Sequence, residues 1–432
     1  MKKSKLFYII IFFIALVFIY ILINSINLHN NEDLKKFDLK TPDGTKVILN
    51  FSTLTDTTVN INPKPFSQFY YYNSKGELLS YSEINDEIVN DFIVEGNNEI
   101  AYLLKNSTII ANEKEVVSLD SNSSVHISNI NFGPSQVGYI NKHNLYYSLL
   151  NIGKRKETNG VYIYTIRFVS KNENYSIDIP YYIENICYDE INDKFLCIVK
   201  ELNSLDLKNF KYIEIEYNDN LNKYELNNNL KEINYNNKIL NDIEENNSAF
   251  YYYMSKNGVI YNVFVELLNN NKGNLILWKI DLNTGTQNRL TLKENYDLGK
   301  LGYGVLSGSN HLPMEIVNNK LYIFTSDKEI FVIDTDDNIQ KLSMPYIFKD
   351  TLSLKNIFDK DYIDEENFFG SEVKIGDDGN IYILNLFRDK KLRIHKLLDN
   401  GNYELYWEGE LPNIPKNTFL NSFEIINYNN KL

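Results

Sequence analysis

An all-β fold built from repeated four-stranded units is what the sequence predicts, and three observations predict it. A short apolar-aromatic run, a polar turn of Asn, Asp, Lys or Gly, and a second such run recur along the chain. The clearest copy is Leu312–Leu342, where Pro313–Val317, Leu321–Phe324, Ile330–Asp334 and Ile339–Leu342 read as four short strands. Polar turns fall at regular intervals, near Ser74-Lys75, Asn112-Glu113, Lys171-Asn172, Asn218-Asp219, Asn283-Thr284, Asp336-Asp337 and Asp399-Asn400, a period of about 54 residues. Composition agrees: 33 Tyr and 24 Phe favour strands over helices. Four antiparallel strands per unit, repeated about seven times, are the pattern of a β-propeller.

The second strand of each unit is the easiest to follow. It reads as Asn98–Leu104, Asn144–Leu150, Asp193–Val199, Gly258–Phe264, Asn319–Phe324 and Gly379–Leu384, each entered from a polar turn. The two ends complete the set. Asp43–Leu49 matches Asp378–Leu384, a second strand without a first, and Phe423–Asn427 matches Met314–Asn318, a first strand without a second. Joined, they make one blade from both termini and leave no free sheet edge.

On these residues the stretch Lys40–Leu432 resembles bacterial β-propeller repeat proteins in general. It departs from the named propeller families: no Trp-Asp dipeptide recurs, the two tryptophans are Trp278 and Trp407, and the kelch double glycine is missing. The resemblance therefore implies a fold and names no chemistry.

Ahead of the repeats, Leu6–Ile23 carries no charge and is long enough as a helix to cross a thin hydrocarbon core. Lys2, Lys3 and Lys5 precede it, which predicts a cytoplasmic N-terminus and a protein otherwise outside. A cleaved signal peptide is the competing reading, but Asn24-Ser25-Ile26-Asn27 is a poor cleavage site. The expected organisation is a cytoplasmic tip (1–5), a single-pass signal anchor (6–26), a polar spacer (27–39) and an extracytoplasmic propeller (40–432) in the cell envelope.

A formal charge of −13 argues against nucleic-acid binding. Cys187 and Cys197 flank a hairpin; a turn centred near Asn192 would set them opposite each other, a candidate disulfide, with two buried thiols as the alternative. No spacing suggests a metal or a cofactor, and no catalytic residue is assigned. The acidic run Asp359–Glu366 lacks calcium-loop spacing and reads as a solvated loop. The five histidines show no metalloprotease pairing, and Ser135 sits in no nucleophile elbow. Long connections are expected around 227–247 and 349–370. The glycine-rich run 299–311 reads first as an inter-blade connection with awkward dihedrals; as a binding loop it would offer candidate residues Gly302, Tyr303, Gly304, Ser307, Ser309 and His311.

The functional expectation is a membrane-anchored binding or scaffold module, its partners the lipid bilayer through Leu6 to Ile23 and an envelope protein, peptide or glycan. The rival is a propeller glycosidase or lyase acting on surface glycans through acids drawn from several blades.

Overall fold

The computed structural model describes residues 39–53, 66–85, 89, 92–95, 99–104, 107–120, 136–154, 162–200, 211–232, 248–268, 272–297, 314–325, 329–343, 372–376, 378–386, 391–414 and 418–426. The predicted anchor lies outside them; among the described residues no helix is long and apolar enough to cross a membrane.

The chain begins its first blade with β1 (Val47–Thr53), β2 (Phe66–Tyr72) and β3 (Leu78–Asn85). Blade two is β4 (Phe92–Glu95), β5 (Glu99–Leu103), β6 (Ser107–Ala111) and β7 (Val116–Asp120). Blade three is β8 (Gln136–Ile140), β9 (Leu145–Lys154), β10 (Tyr162–Val169) and β11 (Asn174–Ile179). Blade four is β12 (Tyr182–Asp189), β13 (Lys194–Lys200), β14 (Lys211–Asn218) and β15 (Lys223–Glu232). Blade five is β16 (Ser248–Lys256), β17 (Val259–Leu267), β18 (Lys272–Asp281) and β19 (Gln287–Asp297). Blade six is β20 (Met314–Val317), β21 (Lys320–Phe324), β22 (Glu329–Ile333) and β23 (Ile339–Ser343). Blade seven is β24 (Glu372–Ile375), β25 (Ile381–Leu386), β26 (Lys391–Leu397) and β27 (Tyr403–Glu410).

The last strand, β28 (Thr418–Ile425), returns to blade one as its missing first strand, giving the order β28-β1-β2-β3. Val47 lies opposite Ile425 and Leu49 opposite Phe423, so the two ends of the repeat are hydrogen-bonded together. Among the described residues every sheet is antiparallel and four-stranded, and seven of them form the propeller.

Burial explains the ring. Middle strands are enclosed on both faces: β1 is buried at every residue and β18 along most of its length. Fourth strands such as β15 and β23 are largely exposed. The core consists of the layers between blades rather than one central mass. Val47, Leu49, Phe51, Leu420, Phe423 and Ile425 of blade one pack on Tyr382, Leu384, Ile394 and Trp407 of blade seven. Ile48, Phe69, Tyr71 and Ile426 pack the other way, on Phe92, Ile100 and Tyr102 of blade two.

The turns divide the ring into two faces. The hairpins joining third to fourth strands all sit at one edge, and each is closed by a polar side chain bonding to backbone N–H groups within the turn. Asn73 accepts from Lys75 (2.9 Å) and Glu77 (3.0 Å), and Asn112 from Lys114 (2.8 Å) and Glu115 (2.9 Å). Ser170, Asn218, Asp281, Asp334 and Asn400 do the same in the other blades. The turns between first and second strands share that edge, and place Asn144, Asp193, Asn257 and Asn319 at positive φ, which Asn and Asp tolerate best. The antiparallel order then puts the remaining connections at the opposite edge. These include 54–65, 121–135, 155–161, 201–210, 233–247, 298–313 and 344–371, which supply the length expected from the long repeat period. The loop expected to begin at Asn227 begins later, because residues 227–232 complete β15 as its paired outer strand.

Candidate functional site: the axial wall

The first strands of the blades, β28, β4, β8, β12, β16, β20 and β24, surround the propeller axis, and each is tied to the next. Ile426 and Phe92 share one apolar layer, and Ile93 and Val137 another. Gln136 Nε2 donates to the Ile186 carbonyl (2.8 Å), and β12 lies along β16. Lys256 Nζ donates to the Ile316 carbonyl (3.2 Å), Val317 packs with Val373, and Lys374 pairs with Glu424.

Titratable and polar groups gather on one sector of this wall. Glu315 on β20 is densely surrounded by protein, with the residue as a whole half-buried. Burial pushes its carboxyl upward, while Lys256 and the Ile316 N–H (3.2 Å from Oε1) pull partly back. Cys187 on β12 is buried, and its thiol is pushed up to about 12 by that burial, with the Ser255 N–H opposing and Glu315 adding to the rise. Its Sγ donates to Asn185 Oδ1 (3.3 Å). Tyr147 reaches the same region because Gly138 leaves room: a Cβ there would lie 2.3 Å from the tyrosine ring. Burial raises the Tyr147 phenol, with Cys187 and Glu315 adding to the effect. Chemically this is a set of neutral donors and acceptors beside one carboxyl and one lysine. A thiol held protonated is a poor nucleophile, so the sector is built for polar contact rather than thiolate chemistry. Across the ring the Glu424 carboxylate is already neutralised by Lys374.

The two cysteines are free thiols, and the register corrects the expectation that they face each other. The turn spans Glu190–Asp193, so Cys197 lies opposite Ile186 and Cys187 opposite Leu196. The offset is one residue, which in a period-two strand sends the side chains to opposite faces. Cys197 packs into the layer shared with blade three, and Cys187 turns toward blade five.

A second cluster sits at the short-turn edge between blades three and four. Asp193 accepts from Lys142 Nζ (2.7 Å), His143 Nε2 (2.8 Å), Tyr188 Oη (3.0 Å) and Tyr224 Oη (2.6 Å). The His143 ring stacks on Tyr217 at 3.6 Å between centroids. Burial opposes ionisation of Asp193, but its donors outweigh that and hold the carboxyl below its ordinary range. With four donors the carboxylate is saturated, so this cluster clamps two blades. The repeat prefigures it in blade three, where Tyr139 Oη donates to Asn144 Oδ1 (3.0 Å) at the equivalent positions.

The sequence-predicted binding residues Gly302, Tyr303, Gly304, Ser307, Ser309 and His311 lie outside the described residues, as does Asp359–Glu366. Their segments join β19 to β20 and β23 to β24, hence strand ends at the long-connection edge. His395 lies within β26, and its imidazole is lowered by burial and by Arg393. Tyr70–Tyr72 are buried strand residues of β2. Glu315, Tyr147 and the His143–Asp193 pair went unrecognised in the sequence because each acquires its meaning across blades. The i, i+5 spacing shared by Tyr139/Asn144 and Tyr188/Asp193 was the one available signal.

No family model matches the chain, and no curated protein matches its sequence. Solved structures match in fold. The chain is similar to the β-propeller domain of the Trilobed protease from Pyrococcus furiosus, at 12% identity and a TM-score of 0.42, over 83% of this chain and 92% of that one. It is also similar to a puromycin-hydrolyzing peptidase of Mycobacterium tuberculosis, at 7% identity and a TM-score of 0.46, over 89% of this chain and 57% of that one. At that degree of likeness neither carries a functional argument. The seven four-stranded sheets themselves establish that this chain is a seven-bladed β-propeller.

Proposed function

We propose that the protein is a membrane-anchored, extracytoplasmic propeller that serves as a binding or scaffold module for a cell-envelope protein, peptide or glycan. The observation that carries this reading is the division of labour between the two faces. One edge is closed by short, side-chain-capped turns, and the other receives the long connections, where partners of such rings dock. The apolar, uncharged Leu6–Ile23, with Lys2, Lys3 and Lys5 before it, supports the anchor and its orientation. The test is labelling of Asn85→Cys, an exposed position at the long-connection edge, with a membrane-impermeant maleimide on intact cells, followed by detergent purification of the full chain. Labelling together with a stoichiometric envelope component, lost when 299–311 is replaced by a short linker, is the expected result. Labelling only after lysis would refute the topology.

The enzymatic reading draws on one observation, the enclosed Glu315 carboxyl in the axial wall, raised by its burial. Turnover of envelope glycans that disappears in Glu315→Gln would favour it over the scaffold.

A further inference from the structure

The chain enters the ring at the short-turn edge. Thr41 N donates to the Asn112 carbonyl in a blade-two hairpin (3.4 Å), Lys46 N to the Tyr72 carbonyl (2.6 Å), and Ile426 N to the Lys46 carbonyl (2.8 Å). Residues 41–46 are therefore laid across the short turns, so the described chain begins on that side. As a coil, a segment the length of 24–38 spans on average about 20 Å. A strand of nine or so residues stands about 30 Å tall. A tether of that mean span reaches the bilayer from the short-turn face without stretching, whereas a run down the side of the ring would use most of its extended reach of about 50 Å.

The same face carries apolar tips that its turn chemistry does not need. Ile191 in the β12–β13 turn is 71% exposed and Leu221 in the β14–β15 turn is 55% exposed, at neighbouring turns of one blade. Val116 and Ile339, also exposed, open β7 and β23 directly after short turns. Of the six exposed large apolar residues among the described residues, these four lie at or next to that edge. Charge does not drive the contact: exposed Lys142 and Lys223 stand among exposed Glu190 and Asp219. Apolar tips at the ends of a rigid blade suit the acyl boundary of a bilayer.

We propose that the short-turn face rests on the lipid surface, with Ile191 and Leu221 of blade four at the interface, so that the long-connection face points away from the membrane. The proposal rests on the anchored reading above, and the experiment separates the two. The full chain is reconstituted into vesicles of phosphatidylglycerol and dibrominated phosphatidylcholine, with a bimane on Asn220→Cys beside Leu221 or on Asn85→Cys at the far edge. The native thiols are buried and stay unlabelled. Quenching at 220 and none at 85 is expected, and quenching at 220 should be lost when Ile191→Asp and Leu221→Asp are added. Quenching at 85 alone would reverse the orientation and overturn the proposal. A chain that floats with the vesicles but is quenched at neither position would overturn the contact and leave the anchor standing. A chain that fails to float after a high-salt wash would overturn both.

Discussion

Asp193→Asn isolates the clamp between blades three and four. The backbone loses nothing, since Asn144 occupies the equivalent left-handed position in blade three (φ 53° against 50° for Asp193). The amide oxygen can still accept from Tyr188 and Tyr224, which bond to Oδ1. Where Oδ2 accepted from Lys142 and His143, an NH₂ now faces two donors. Lys142 is exposed, so solvent screens its pair and little is lost there. The His143 bond is largely enclosed and charge-assisted, worth about 1.5–3 kcal/mol. The expected loss at pH 7 is therefore about 2–3 kcal/mol. Because the folded-state carboxyl is depressed, its contribution is fully present above the unfolded-state value near 4 and is lost as pH falls below it. Urea unfolding of both proteins at pH 7 and pH 3 should show a gap that narrows sharply on acidification. A gap below about 0.5 kcal/mol at pH 7, or one that does not change with pH, would show that the Asp193 carboxylate does not clamp the two blades.

Other substitutions test other layers of the account. Phe423→Ala removes a fully buried ring from the layer sealing blade one to blade seven and should cost about 3–5 kcal/mol by denaturant titration, whereas Leu405→Ala at an exposed site should change stability by under about 0.5 kcal/mol. Gly285→Ala, at φ 72° with open space around it, should cost about 1–2 kcal/mol. Gly76→Ala, at φ 78°, should cost clearly more in the same thermal melt, because its Cβ would lie 1.8 Å from the Glu408 carbonyl oxygen. Glu315 has a raised carboxyl, so the wild type loses stability as pH rises through it; Glu315→Gln should be the more stable protein at pH 8, with the difference closing by pH 4.

Much of the fold was legible because a propeller writes its repeat in local chemistry. All seven sequence-read turns fall in the hairpins between third and fourth strands, where an Asn, Asp or Ser must bond its own backbone. The second strands stood out because burial on both faces makes them apolar runs bounded by polar turns. Closure by β28 was legible in Phe423–Asn427 for the same reason. The cysteine register was not, since a turn at Glu190–Asp193 differs by one residue from a turn centred on Asn192, and composition favours neither. The axial sector was less legible still. Tyr147, Cys187, Lys256 and Glu315 belong to four different blades, and no local window holds two of them. What brings them together is ring geometry, which enters the sequence only through the count of repeats.

The propeller stands or falls with a ring closed by its own ends, and covalent closure tests that closure directly. Thr53 and Thr418 are register partners across β1 and β28, and opposed residues in an antiparallel pair come within disulfide reach, about 4.5–5.5 Å between Cα atoms. Oxidation of the Thr53→Cys/Thr418→Cys protein should give an intramolecular crosslink, visible as a reducible mobility shift under denaturing electrophoresis, with a raised unfolding midpoint. An oxidised sample that stays uncrosslinked, or that links only between molecules, would contradict the closed seven-bladed ring.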